Sequence, residues 1–136
     1  MLLNYTCVDS EIDYFTSTAA GATTITADLL NLSKNAYNAT LYFERGPFQA
    51  RVSVNYRDEY LRAVPGPFNM DVAGVPARTF YDFSISYQIS ERFSATLEGL
   101  NLTNEETVSW VDSQAQRMED YRVSGRVFNI GTRYSF

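Results

Sequence analysis

The stretch Phe48-Gln49-Ala50-Arg51-Val52-Ser53-Val54-Asn55-Tyr56-Arg57 decides the fold. Phe48, Ala50, Val52, Val54 and Tyr56 are apolar or aromatic, and every residue between and after them is polar. A strand sends successive side chains to opposite faces, so one extended segment here has an apolar face and a strongly polar one. Roughly ten residues of unbroken alternation is long for a soluble-domain strand, whose usual length is about five or six. It suits the 9–11 or so residues that a tilted strand needs to cross a bilayer.

The same period of two recurs on either side. Over residues 36–45, Tyr37, Ala39, Leu41 and Phe43 alternate with Asn38, Thr40, Tyr42 and Glu44. Over residues 78–89, Tyr81, Phe83, Ile85, Tyr87 and Ile89 alternate with Asp82, Ser84, Ser86 and Gln88. Phe93, Ala95, Leu97 and Gly99 alternate with Ser94, Thr96 and Glu98, and residues 128–136 close the chain in the same way. Leu3, Tyr5 and Cys7 against Asn4 and Thr6 suggest the end of one more strand.

The connections alternate in length. Arg45-Gly46-Pro47 and Ser90-Glu91-Arg92 are tight, whereas residues 9–35, 58–77 and 102–125 are long. Counting back from Phe136, both tight turns fall at one end of the strands and all three long connections at the other. Short turns on one side and long loops on the other characterise outer-membrane barrels. Phe43, Phe48, Tyr87, Phe93, Tyr134 and Phe136 then form a band near the short turns, and Tyr37, Tyr56 and Tyr81 lie near the opposite end. Two aromatic girdles around an aliphatic band are expected of such a barrel. These patterns imply an all-β chain, an antiparallel up-and-down transmembrane β-barrel segment of about six strands. Membrane barrels begin at about eight strands, so the segment is an incomplete barrel that pairs with further strands.

Composition narrows the function. The chain has 136 residues, 45% of them hydrophobic and 15% aromatic, with a mean hydropathy of -0.25. No apolar run approaches the roughly 20 residues of a transmembrane helix. A net charge of -5 with no basic run argues against a nucleic-acid partner. Cys7 is the only cysteine and there is no histidine, so no disulfide framework or imidazole base is available. Paired carboxylates such as Glu105 and Glu106 read as solvated charge. No catalytic, cofactor-binding or metal-ligating set emerges, and no enzyme is expected. Met1-Leu2-Leu3 opens without the features of an export signal, so the expectation for an exported protein is a natural N-terminus further upstream.

Three stretches resemble the C-terminal barrel region of TonB-dependent receptors, the energised outer-membrane transporters. The first runs from Leu32-Ser33-Lys34-Asn35-Ala36-Tyr37-Asn38 through Leu41-Tyr42-Phe43-Glu44 to the Phe48–Arg57 segment. The second is Leu97-Glu98-Gly99-Leu100-Asn101-Leu102-Thr103-Asn104-Glu105, and the third runs from Gly125 to Phe136. Together they cover most of the chain after residue 32. The resemblance implies that residues 1–136 are the C-terminal portion of such a barrel, without the plug domain, the TonB box and the N-terminal strands. It implies energised uptake of a siderophore, vitamin or carbohydrate across the outer membrane of a Gram-negative bacterium, with a lean toward carbohydrate. The implied partners are outer-membrane lipid and lipopolysaccharide, the plug and remaining strands, the TonB system and the barrel assembly machinery.

On that reading Arg51, Asn55, Arg57, Asp82, Glu98 and Arg133 face the lumen, with Gln88 and Asn129 beside them, and Arg51 and Arg57 are candidates to pair with plug carboxylates. Tyr60, Arg62, Phe68 and Trp110 are candidate ligand contacts in the long loops, where function commonly resides. Asp112, Gln114 and Gln116 add polar groups near Trp110, and residues 112–121 are compatible with a short helical turn. Phe128, Ile130, Tyr134 and Phe136 resemble the signal read during barrel assembly, which works by addition of a strand to a sheet edge. Two other readings remain open. One is a passive porin-like or structural barrel; the other is a soluble β-sandwich binding module that buries Phe48, Val52 and Val54 against a second sheet.

Overall fold

The computed structural model describes residues 1–18 and 21–136. Its largest element is a six-stranded antiparallel sheet built from β1 (Leu2–Cys7), β4 (Asn35–Arg45), β5 (Phe48–Arg57), β8 (Arg78–Ser90), β9 (Phe93–Leu100) and β12 (Val127–Tyr134). The strands lie side by side in chain order, an up-and-down meander whose outer edges are β1 and β12. It is an open sheet, not a closed barrel.

Register carries the alternation across the whole sheet. Leu41 lies opposite Val52, Val52 opposite Phe83, Phe83 opposite Gly99, and Gly99 opposite Phe128. Directly opposed residues of an antiparallel ladder share a face. One face therefore collects most of the apolar side chains of the six strands and the other most of the polar ones, with Leu2, Phe80, Leu100 and Val127 as apolar residues on the polar face. Among the described residues no second sheet covers the apolar face: Val52 is 51% exposed, Phe128 60% and Ile130 83%. That arrangement departs from the sandwich alternative, which needs Val52 buried.

Both tight turns sit at one end. Gly46 takes a positive φ of 56°, and the proline ring holds Pro47 at a negative one, the combination of a two-residue hairpin turn that follows strand twist. Glu91 and Arg92 form the second turn without a positive φ, and the adjoining ladder absorbs the mismatch as a one-residue shift between Gln88 and Ser90. The terminal strand is shorter than its alternation suggests. It stops at Tyr134, and the Phe136 ring packs edge-on against Tyr134 at 5.2 Å.

The long connections are not irregular. Residues 9–34 contain a hairpin of β2 (Ile12–Thr18) and β3 (Gly21–Ala27). The second connection holds β6 (Tyr60–Ala63), one 3-10 turn and β7 (Ala73–Val75); the third holds β10 (Thr107–Val111) and β11 (Arg117–Arg122). These four strands form a second antiparallel sheet in the order β11, β10, β7, β6, in which β10 of one loop pairs with β7 of the other. The helical turn considered for residues 112–121 is replaced by a turn at Asp112–Gln116 leading into β11, because Met118 and Tyr121 are drawn into pairing with Trp110 and Val108. Among the described residues, every buried hydrophobic side chain belongs to this loop sheet or the residue leading into it: Val72, Ala73, Val75, Trp110 and Val111.

Candidate functional site: the polar face and its loop cap

At the loop end of the large sheet a polar network ties the strands to their connections. Tyr5 donates from its hydroxyl to Asn35 Oδ1 at 2.7 Å, and Asn35 Nδ2 donates to Asp58 Oδ2 at 2.8 Å. Tyr56 donates to the other Asp58 oxygen at 2.7 Å. These donors, the Tyr56 hydroxyl first, hold the Asp58 carboxyl below its ordinary range. The buried Ser33 donates to the Asp58 carbonyl and accepts from Arg57 Nε, both at 2.8 Å. The rings of Tyr37 and Tyr56 stack at 4.7 Å at this end, and Phe43 and Phe48 meet edge-on at 6.0 Å near the short turns. Tyr5, paired in register with Tyr37, extends the tyrosine row by one strand beyond the sequence expectation.

The lumen candidates all lie on the polar face but have different surroundings. Arg51 and Glu98 flank Ser84 in one cross-strand row, and with Glu44, Gln49, Tyr42 and Ser86 they line a depression of about 300 Å³. Asn55 lies between Asn38 and Phe80 in register, and Arg133 lies opposite Ser94. Asp82 accepts the backbone N–H of Asn101 at 2.9 Å, so its carboxylate anchors the exit from β9. Arg57 is heavily engaged: besides Ser33, it donates to the Asn31 carbonyl at 2.5 Å and lies 4.0 Å over the Tyr60 ring.

The loop candidates separate in the same way. Tyr60 sits under Arg57 and accepts a long hydrogen bond from Arg78 Nη2 at 3.4 Å. Arg62 forms an ion pair with Glu119, joining the second connection to the third. Phe68 is 75% exposed at the tip of the 3-10 turn, with a left-handed backbone. Trp110, a candidate ligand contact in the third connection, is enclosed by the loop sheet. It is only 9% exposed, and its ring lies so close to Gly74 that a Cβ there would collide with it. Its Nε1 meets no protein acceptor among the described residues. The large ring follows the general tendency to bury apolar area.

Three polar residues of the cap carry structural roles that alternation did not reveal. Asp71 accepts from the Val72 N–H at 2.8 Å and from the Ser113 N–H at 3.0 Å, and it also bonds the Ser113 hydroxyl. The Ser113 hydroxyl, more than any other neighbour, holds the Asp71 carboxyl below the usual carboxylate range. Asn101 is buried with a left-handed φ of 54°. Its side chain accepts from the Glu105 N–H at 2.7 Å and donates to the Glu105 and Gly125 carbonyls, each at 3.1 Å. Asparagine tolerates that backbone and bonds locally, which explains the Asn101-Leu102-Thr103-Asn104 turn. A polar residue directly after an alternating strand was the available signal.

This geometry defines a class: an all-β antiparallel chain with an open meander sheet, apolar on one face and polar on the other, capped at one end by a sheet made from two loops. No helix among the described residues is long and apolar enough to cross a membrane, which leaves strand-crossing untouched. No family model matches the chain, and no curated protein or solved structure matches it.

Proposed function

We infer that the large sheet is a section of the wall of a transmembrane β-barrel in a Gram-negative outer membrane, and that the barrel is the C-terminal part of a TonB-dependent receptor importing a scarce solute. The observation carrying the membrane reading is the uncovered apolar face, continuous in register over six strands. Water-soluble proteins rarely expose contiguous apolar patches larger than a few hundred Å². Lipid is the solvent that suits such a face. From Phe48 to Tyr56 the strand advances about 26 Å at roughly 3.3 Å per residue. Tilted, that length fits the apolar band between two girdles.

Lipid also sets a requirement on the edges. Unpaired backbone groups in hydrocarbon cost several kcal/mol each, so β1 and β12 take neighbouring strands. The polar face then lines the interior, where Arg51, Glu98 and Arg133 meet water or a plug, and the capping sheet lies outside. The resemblance of the Leu32–Arg57, Leu97–Glu105 and Gly125–Phe136 stretches supports the receptor assignment over a passive pore.

Two measurements test these levels separately. With Cys7→Ser as background, a fluorophore on Val52→Cys is quenched by a lipid-borne quencher, and one on Ser53→Cys by aqueous iodide. Equal iodide quenching at both sites overturns the membrane reading. Uptake by cells that express the intact gene stops on adding an uncoupler if the barrel is energised, whereas a passive pore continues to conduct.

A further inference from the structure

Arg57 and Arg78 lie directly opposite one another in the β5–β8 ladder. Like charges in that relation are destabilising, yet neither arginine has an ion-pair partner among the described residues. The carboxylate next in sequence, Asp58, spends its two oxygens on Tyr56 and Asn35. Both guanidinium groups are held by Tyr60, Arg57 over its ring at 4.0 Å and Arg78 through the hydroxyl at 3.4 Å. They line a depression of about 300 Å³ on the polar face, together with the amides of Asn38 and Asn55 and the ring of Phe80. Among the described residues, no acidic side chain lines it. In a chain of net charge -5, this half-buried pair of arginines without an ion-pair partner among the described residues is open to a counter-charge from outside the chain.

We propose that Arg57 and Arg78, fixed by Tyr60 and flanked by Asn38 and Asn55, form a binding site for a small oxyanion, a carboxylate or a phosphate. The planar guanidinium fork matches both groups through paired N–H donors. The two amides supply further donors at the same rim, and a site near 300 Å³ lies at the small end of ligand pockets. The site depends only on water reaching the polar face. It stands whether the opposite face meets lipid or not.

The full chain in non-ionic detergent micelles at low salt is titrated calorimetrically with inorganic phosphate and, separately, with succinate. Binding by one probe and not the other identifies the class of anion; binding by both identifies a general oxyanion site. Arg57 also holds Ser33 and Asn31, so Arg78 is the cleaner position to change. Arg78→Ala lowers affinity at least about tenfold, the size expected when a charge-assisted hydrogen-bonding partner is lost. Arg92→Ala, in the short turn at the far end, leaves affinity unchanged. Arg78→Glu gives Arg57 an internal partner, so it raises the unfolding midpoint without added anion and abolishes the response to phosphate. The assignment is overturned if neither probe binds the unsubstituted chain, if Arg78→Ala binds as well as it does, or if Arg78→Glu lowers the midpoint.

Discussion

Val52 is the most informative single position for deciding which solvent touches the large sheet. It lies midway between Phe48 and Tyr56 on β5, so each ring is about 13 Å away along the strand at roughly 3.3 Å per residue. If lipid solvates this face and the strand tilts near 40°, Val52 would sit about 10 Å from either girdle, close to the bilayer midplane. A lysine there costs about 2–4 kcal/mol if lipid surrounds it. If water surrounds it, Val52→Lys at a half-exposed position stays within about 0.5 kcal/mol, with less than about 1 kcal/mol added for lost strand preference. Ser53→Lys on the opposite face supplies the internal control, with an expected change of no more than about 0.5 kcal/mol. The assay is equilibrium unfolding in guanidinium chloride of the protein folded into phospholipid vesicles, followed by circular dichroism at constant lipid. Equal costs for the two lysines, or a greater cost at Ser53, would refute the lipid-facing assignment.

Three further outcomes concern the loop cap and its junction with the sheet. Gly74→Ala drives a Cβ into the Trp110 ring and destabilises the loop sheet by about 1–3 kcal/mol, read as a red shift of tryptophan emission with hydrogen exchange in β5 unchanged. Asp71 has its carboxyl held low in the folded state, so its contribution is present above the unfolded carboxylate value and lost as pH falls through the folded one. Ser113→Ala should therefore move the acid transition of Trp110 emission to higher pH; an unmoved transition counts against the Asp71–Ser113 latch. Asn101→Ala loses both its backbone preference and its side-chain hydrogen bonds to Glu105, Ser124 and Gly125, costing about 2 kcal/mol in urea unfolding, while Asn101→Gly recovers the backbone part and falls between.

Much of the large sheet was legible because strand alternation is a local property. Phe48–Arg57 has the bounds its pattern implies, and the neighbouring strands agree within about two residues, the usual uncertainty at element ends. Even the end of the sheet at which each turn falls followed from counting strands, since each connection reverses direction. The loop cap was not legible in this way. β7 has only three residues, too few to display a period, and it finds β10 across 31 intervening positions. Trp110 was legible as a loop aromatic, but which strands cover it depends on that pairing.

The site divides along the same line. Alternation alone assigned Arg51, Asn55, Arg57, Asp82, Glu98 and Arg133 to one face, because side-chain direction in a strand follows from backbone geometry. Register decided which of them are neighbours: Arg51 shares a row with Glu98, whereas Arg57 meets a second arginine. Tyr60 joins that pair only because β5 runs into β6 within three residues and brings the ring beneath Arg57. A strand's faces are written in the order of its residues; which charges oppose each other depends on how separate strands align, and only the folded chain decides that.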